Sequence, residues 1–231
     1  MNNISNVLDN AFCKSEKANG KLHRWKSWKP NTPFAPEFDV PIFLDNLNYK
    51  FVDQIIKAID ENDLGLYKQS WEDYNIFKWE YPCFKALRAA IWKMYNDYME
   101  ILGYQKEEGD SLWIRGWAVV LQAGSPVERH CHSYHENTYL SGNLMLSDNK
   151  TTTDYLIPHL SPYYGPWKCQ NLPGRMTLFP SWVEHSVNPV NAKRYSLGFD
   201  LFDYNTMEYV SKNKIADSKE QKTVMHSIPL A

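Results

Sequence analysis

The sequence predicts a mainly β domain with N-terminal helices, a jelly roll or distorted barrel in which two helices buttress one sheet. Three observations carry that reading. Helical periodicity is confined to two segments before residue 104. After Gly109 the texture switches to short runs rich in Trp, Val, Leu and Phe, broken by Gly, Pro and Asn, which is the pattern of antiparallel strands. The 231 residues are 43% hydrophobic and 15% aromatic, which excludes long disorder and leaves material for a sizeable core.

The elements follow in chain order. Residues 1–44 are weakly patterned, and Trp25, Trp28, Pro30, Pro33 and Pro36 read as an extended arm laid across the domain. The span 45–110 holds the supporting helices. Phe51, Ile55, Ile56 and Ile59 give one apolar face over 49–61, and Phe84, Leu87, Ala90, Ile91, Met94, Tyr98 and Ile101 give another over 83–103, with Gly103 as a stop. The span 111–205 is the β core, with strands expected at 112–122, 127–133, 139–146, 152–157, 176–179, 184–187 and 195–202. From residue 211 the chain turns polar and charged, so 206–231 reads as a surface tail or exposed helix of what is otherwise one domain, 1–231.

Charge and composition exclude several functions. With 25 basic against 27 acidic residues the net charge is −2, which gives no field for coating nucleic acid. The longest apolar runs fall far short of the roughly 18 residues of a membrane span, and the first twenty residues lack the apolar core of a secretory signal. A cytoplasmic location is expected. Cys13, Cys83, Cys131 and Cys169 are scattered without a paired motif, so reduced thiols are the default.

The chemistry concentrates in the run His130-Cys131-His132-Ser133-Tyr134-His135-Glu136. On a strand, residues i and i+2 share a face, so His130 and His132 can aim both imidazoles at one point while Cys131 faces away. A third ligand is available downstream, where Gly174 makes a turn, Pro180 ends a strand and His185 starts the next one able to face the same interior. Arg194 and Ser196 share a face of the last strand; a guanidinium inside a barrel needs an anion, and its planar fork matches a carboxylate. The connection 158–167, with Pro and Gly breaks and four aromatic residues, is a candidate substrate loop.

Taken together, Gly124-x5-His130-x-His132, the segment Leu140-Ser141-Gly142-Asn143-Leu144, the segment Leu178-Phe179-Pro180-Ser181-Trp182-x-x-His185 and Arg194-x-Ser196 resemble the Fe(II)- and 2-oxoglutarate-dependent oxygenases. The likeness covers about ninety residues, from 113 to 202, and is strongest to a subgroup common in marine bacteria and phages. The resemblance implies a double-stranded β-helix (jelly roll, cupin-like). It also implies an iron held by a His-x-Asp/Glu pair and a distal His, and 2-oxoglutarate chelating the iron with its far carboxylate on an Arg. His130 and His185 are then metal ligands, and Arg194 with Ser196 anchors the co-substrate. The implied reaction uses O2, releases succinate and CO2, and hydroxylates a C–H bond of a small-molecule or peptidyl substrate.

The sequence departs from that pattern at the acidic ligand, because the second residue after His130 is His132. The same stretch approximates a cupin motif, with Gly124, His130, His132 and Glu136 in the first half and Gly174, Pro180 and His185 in the second. Three donor sets therefore stand: His130, His132 and His185, favoured; the same three with Glu136; or a shifted pair using His135. A cupin-type three-His dioxygenase or isomerase without 2-oxoglutarate is the second reading, and a jelly-roll module that binds a ligand without catalysis is the third.

Overall fold

A computed structural model describes residues 20–26, 34, 37–62, 73–104, 111–132, 139–148, 150–157, 165–212 and 226–230. The strands are β1 (Lys21–Lys26), β2 (Asp39–Asn46), β3 (Trp113–Leu121), β4 (Val127–His130), β5 (Leu140–Met145), β6 (Thr152–Leu156), β7 (Trp167–Gln170), β8 (Arg175–Pro180), β9 (Glu184–Val187), β10 (Arg194–Phe202) and β11 (Ile228–Pro229). The helices are α1 (Tyr49–Glu61), α2 (Pro82–Leu102) and α3 (Tyr204–Lys212), with a 3-10 turn at Ile76–Lys78. A seven-stranded antiparallel sheet runs β1-β2-β8-β5-β10-β3-β11, and a four-stranded antiparallel sheet runs β4-β9-β6-β7. No helix among the described residues is long and apolar enough to cross a membrane.

The two-residue period of a strand sorts the large sheet into two chemically different faces. On β5 and β10 the residues Leu140, Leu144, Leu197, Phe199 and Leu201 point one way and are buried in one cluster with Phe84, Leu87 and Ile91 of α2. Their neighbours Ser141, Asn143, Arg194, Ser196 and Asp200 alternate with them and so face the opposite side, towards the small sheet. There a smaller cluster joins Val40, Ile42 and Phe179 of the large sheet to Tyr155 and Cys169 of the small one. The helices thus seal one face with about 2–5 kcal/mol at stake per large buried aliphatic side chain, which frees the other face to carry polar groups.

Local sequence sets the helix ends. Asn48 caps α1, its side chain accepting from the Lys50 N–H at 3.0 Å. Pro82 occupies the first turn of α2, where no N–H is needed, and Gly103 ends that helix in the left-handed region at φ 78°. Asn75 ties the segment before α2 to the sheet. Its amide donates to the Ile114 and His226 carbonyls, and its carbonyl oxygen accepts from the Phe77 and Gly116 N–H groups.

Three expectations need correction. Within 1–44, residues 21–26 and 39–46 are paired strands of the large sheet, not an extended arm. Pro41 and the charged flanks disguised an alternation in which Val40, Ile42 and Phe43 are buried. Pro41 is tolerated because β8 pairs with β2 only from Phe43 onward. Within 206–231, α3 and β11 replace a simple tail: Ile228 pairs with Ile114, and Leu230, at the end of the short apolar run Ile228-Pro229-Leu230, is buried. Trp167 opens strand β7 and does not close a loop; 158–164 lie outside the described residues.

Asp45 on β2 is buried at 3% exposure; its Oδ1 accepts the Asn46 N–H at 2.7 Å, and its Oδ2 has no hydrogen-bond partner. Burial pushes its carboxyl up to about 6. The native state therefore holds its proton more tightly than the unfolded chain, and stability is lost as pH rises through that value. Asp45→Asn is expected to stabilise the fold by up to about 3 kcal/mol at pH 8 and by nothing at pH 4, measured by denaturant unfolding at both.

Candidate metal centre

His130 is the last residue of β4 and stands directly opposite His185 of β9 in the antiparallel ladder, with a bulge between Val127 and His130 re-aiming the strand end. Their ring centroids are 4.3 Å apart. His132 lies two residues past β4, where its backbone N–H donates to the Ser181 carbonyl at 3.0 Å, and its ring is 5.1 Å from each of the other two. The three imidazoles offer one ligand atom each, all within 4.8 Å of one another. His130 is exposed at the rim, whereas His132 and His185 are buried.

Each ring is oriented by an acceptor at Nδ1. His130 faces the Glu128 carbonyl at 2.7 Å, His132 the Asp200 Oδ1 at 2.6 Å and His185 the Val183 carbonyl at 3.5 Å. An oxygen acceptor there assigns the proton to Nδ1 and leaves the Nε2 lone pair of all three rings for a cation. Burial also pushes the His130 imidazole below its ordinary value, and burial reinforced by its two histidine neighbours pushes His185 well below it. His130 and His185 are therefore held towards the neutral form, which is the form in which an imidazole binds a borderline divalent metal.

Behind the histidines lies a cavity of about 80 Å³ between the two sheets, lined among others by Trp117, Asn143, Arg194 and Ser196. Arg194 is buried at 2% exposure. Its Nη2 meets only the Met145 sulfur, at 3.1 Å, and its Nε has no hydrogen-bond partner. Without an anion, burial pulls the guanidinium down to about 10. Ser196 donates over 3.4 Å to the Val119 carbonyl. Nearby, Tyr155, Thr177 and Asn143 close a triangle of hydrogen bonds at 2.7–2.9 Å, so these polar side chains are satisfied and Arg194 is not. Gly198 keeps the cavity open on one side, because a Cβ there would sit 2.7 Å from the Trp117 ring, which packs 5.3 Å from His132.

The structure brings His130, His132 and His185 together and sets Arg194 and Ser196 on the same cavity. Cys131, between two of the histidines, is exposed and outside the ligand group. Glu136 and His135, which extended or shifted the donor set in the sequence reading, lie outside the described residues. Sequence reasoning missed Asp200, which accepts from His132 and from the Ser141 hydroxyl. The signal was available: Asp200 has the strand parity of Arg194 and Ser196 and is the lone acid in the run Leu197–Phe202.

No protein-family profile and no curated protein matches the sequence. Solved structures do match in fold. A prolyl-4-hydroxylase from Pseudomonas putida is 13% identical, covering 69% of this chain and 86% of its own, with a TM-score of 0.51. The non-heme α-ketoglutarate-dependent carbocyclase SnoK of nogalamycin biosynthesis is 12% identical over 69% and 78% of the two chains, at 0.53. A Trichoplax adhaerens prolyl hydroxylase, in complex with a peptide fragment of the hypoxia inducible factor oxygen degradation domain, is 12% identical over 88% and 92%, at 0.50. The chain is therefore a jelly roll of the kind these 2-oxoglutarate-dependent oxygenases adopt, and it carries a three-histidine group in its cavity.

The depressed histidines have a stability consequence. Below about pH 6.5 an unfolded chain protonates groups that the native apoprotein keeps neutral. Metal-free protein is thus expected to lose stability as pH falls below 6.5, and His185→Leu to flatten that slope, as read from urea midpoints between pH 5 and 8.

Proposed function

We propose that the chain is an Fe(II)- and 2-oxoglutarate-dependent oxygenase, and that its reaction is hydroxylation of a C–H bond. The observation that carries this reading is Arg194: a buried guanidinium with an unpartnered Nε, on the same cavity as three convergent imidazoles. Leaving such a charge without an anion is unfavourable, so the cavity suits a ligand that reaches the histidines at one end and offers a carboxylate at the other. 2-Oxoglutarate has that shape and charge.

In this reading Nε2 of His130, His132 and His185 hold the metal, and their Nδ1 contacts fix the direction of each lone pair. Arg194 forks the far carboxylate of the co-substrate, with the Ser196 hydroxyl as a further donor. Trp117 packs on His132, and Phe179 and Tyr155 pack on His185, so aromatic surface lies beside the ligands and lowers the local polarity, which strengthens both contacts. Iron and 2-oxoglutarate, when bound, supply O2 activation with release of succinate and CO2. His130 at the rim places the acceptor at the open side, and the peptide in the Trichoplax complex makes a peptidyl acceptor as suitable as a small molecule. The finer likeness to the marine bacterial and phage subgroup rests on the segments around Ser141 and Ser181 alone.

The three-histidine donor set is the observation that favours the second reading, a metal dioxygenase or isomerase that does without 2-oxoglutarate. Anaerobic Fe(II) titration with and without 2-oxoglutarate separates the two. The proposal expects a weak visible charge-transfer band that requires the co-substrate. Arg194→Ala is expected to raise the 2-oxoglutarate concentration needed for the band by about 100-fold or more while iron content is unchanged, with Arg194→Lys intermediate. Iron uptake without a band would transfer the assignment to the second reading, and no metal uptake to a ligand-binding jelly roll.

A further inference from the structure

The acid that sequence reasoning missed also addresses the feature in which this chain departs from its resemblance. His132 occupies the position where a His-x-Asp/Glu pair would put a carboxylate on the metal. Its Nδ1 lies 2.6 Å from Oδ1 of Asp200, 68 residues away in sequence. Asp200 is 1% exposed on β10, across the ladder from Ser141. The Ser141 hydroxyl donates to the same Oδ1 at 2.7 Å and lies 2.9 Å from the Ser181 hydroxyl. The other carboxylate oxygen, Oδ2, is buried without a hydrogen-bond partner. Asp200 is not among the residues whose ligand atoms converge, so it reaches the centre only through His132.

We propose that Asp200 is the displaced carboxylate of the metal centre: it supplies, through His132, the negative charge that a directly coordinated Asp or Glu would supply. This rests on the oxygenase reading. A divalent metal, a dianionic co-substrate and the Arg194 guanidinium leave one positive charge uncompensated when all three protein ligands are neutral imidazoles, and Asp200 cancels it. Trp117 packs on His132 and Phe179 on His185, and beside such aromatic surface that charge is weakly screened. A carboxylate hydrogen-bonded to the far nitrogen of a ligating histidine also makes the coordinating nitrogen a better donor. Ser141 holds the carboxylate at the angle His132 needs, and the Ser181 carbonyl holds His132 itself through its backbone N–H. Asp200 is in these terms a positioning and charge-supplying residue that need not touch substrate.

The test relocates the charge. Metal-free protein is titrated with Co(II) against a competing chelator, and the Fe(II)/2-oxoglutarate charge-transfer band is recorded. Asp200→Asn keeps the acceptor for His132 and removes only charge. It is expected to weaken Co(II) binding by about 10- to 100-fold and to shift the band to higher energy, because a less electron-rich iron gives up its electron less readily. Ser141→Ala, which leaves the charge in place, is expected to change affinity by no more than a few-fold. The swap His132→Asp with Asp200→Asn puts the carboxylate on the metal directly and is expected to return affinity to within a few-fold of the unmodified protein. A folded Asp200→Asn protein that binds Co(II) as tightly as the parent overturns the proposal. Should that variant fail to fold, a folded swap protein that binds no better than His132→Ala overturns it equally. If the unmodified protein takes up no metal, the oxygenase reading falls first and this inference with it, whereas normal metal uptake by both parent and Asp200→Asn removes this inference alone.

Discussion

The organisation of the molecule depends on the alternation of side chains along β5 and β10. One parity of each strand is apolar and is consumed by the helices; the other is polar and has nowhere to go but the interior between the sheets. Burying Ser141, Arg194, Ser196 and Asp200, with Asn143 half-buried beside them, would be destabilising if each stood alone. Most are satisfied by one another or by Tyr155 and Thr177, so the interior is a hydrogen-bonded network with a deficit at two atoms, Arg194 Nε and Asp200 Oδ2. That deficit is the mark of a site and not of a core.

Electrostatics around the cavity has two poles. Near the rim, the rings of His130, His132 and His185 bring their ligand atoms within 4.8 Å of one another, with His130 and His185 held below their ordinary value, an arrangement suited to a cation. Deeper in, a guanidinium without a counter-charge attracts an anion. A ligand that bridges them must carry both a metal-binding end and a distal negative group, and this pairing narrows the choice of ligand more than the fold does. The matching oxygenase structures, at 12–13% identity, supply the architecture and leave chemistry to the residues.

Much of this was legible in the sequence because it follows from periodicity. Helix 49–61 and the strand at 184–187 rest on the repeat of one regular element, whereas the strand expected over 127–133 ends at His130 and His132 meets the other rings from the loop beyond it. What was not legible depends on contacts between elements. The strand 39–46 was hidden by a proline that is harmless only because the neighbouring strand stops short of it. Leu230 ends an apolar run too short to read as an element, and its role exists only once β11 meets β3. Asp200 was visible by parity, yet its link to His132 depends on a loop residue folding back across two strands. Trp117 over Gly198 likewise becomes part of the site only when β3 and β10 are in register.

The topology draws the three histidines and Asp200 from distant parts of the chain: His132 and Asp200 are separated by 68 positions, and Arg129 and Glu184, which join β4 to β9 beside the histidines, by 55. No local hairpin contains more than a part of the donor set. Loop closure must be completed on both sheets before any cation can be chelated, and contacts of this range make folding slow compared with helix formation. Convergence of the three imidazoles is then a late event that reports on the finished barrel, so a nascent or partly unfolded chain does not present this donor set.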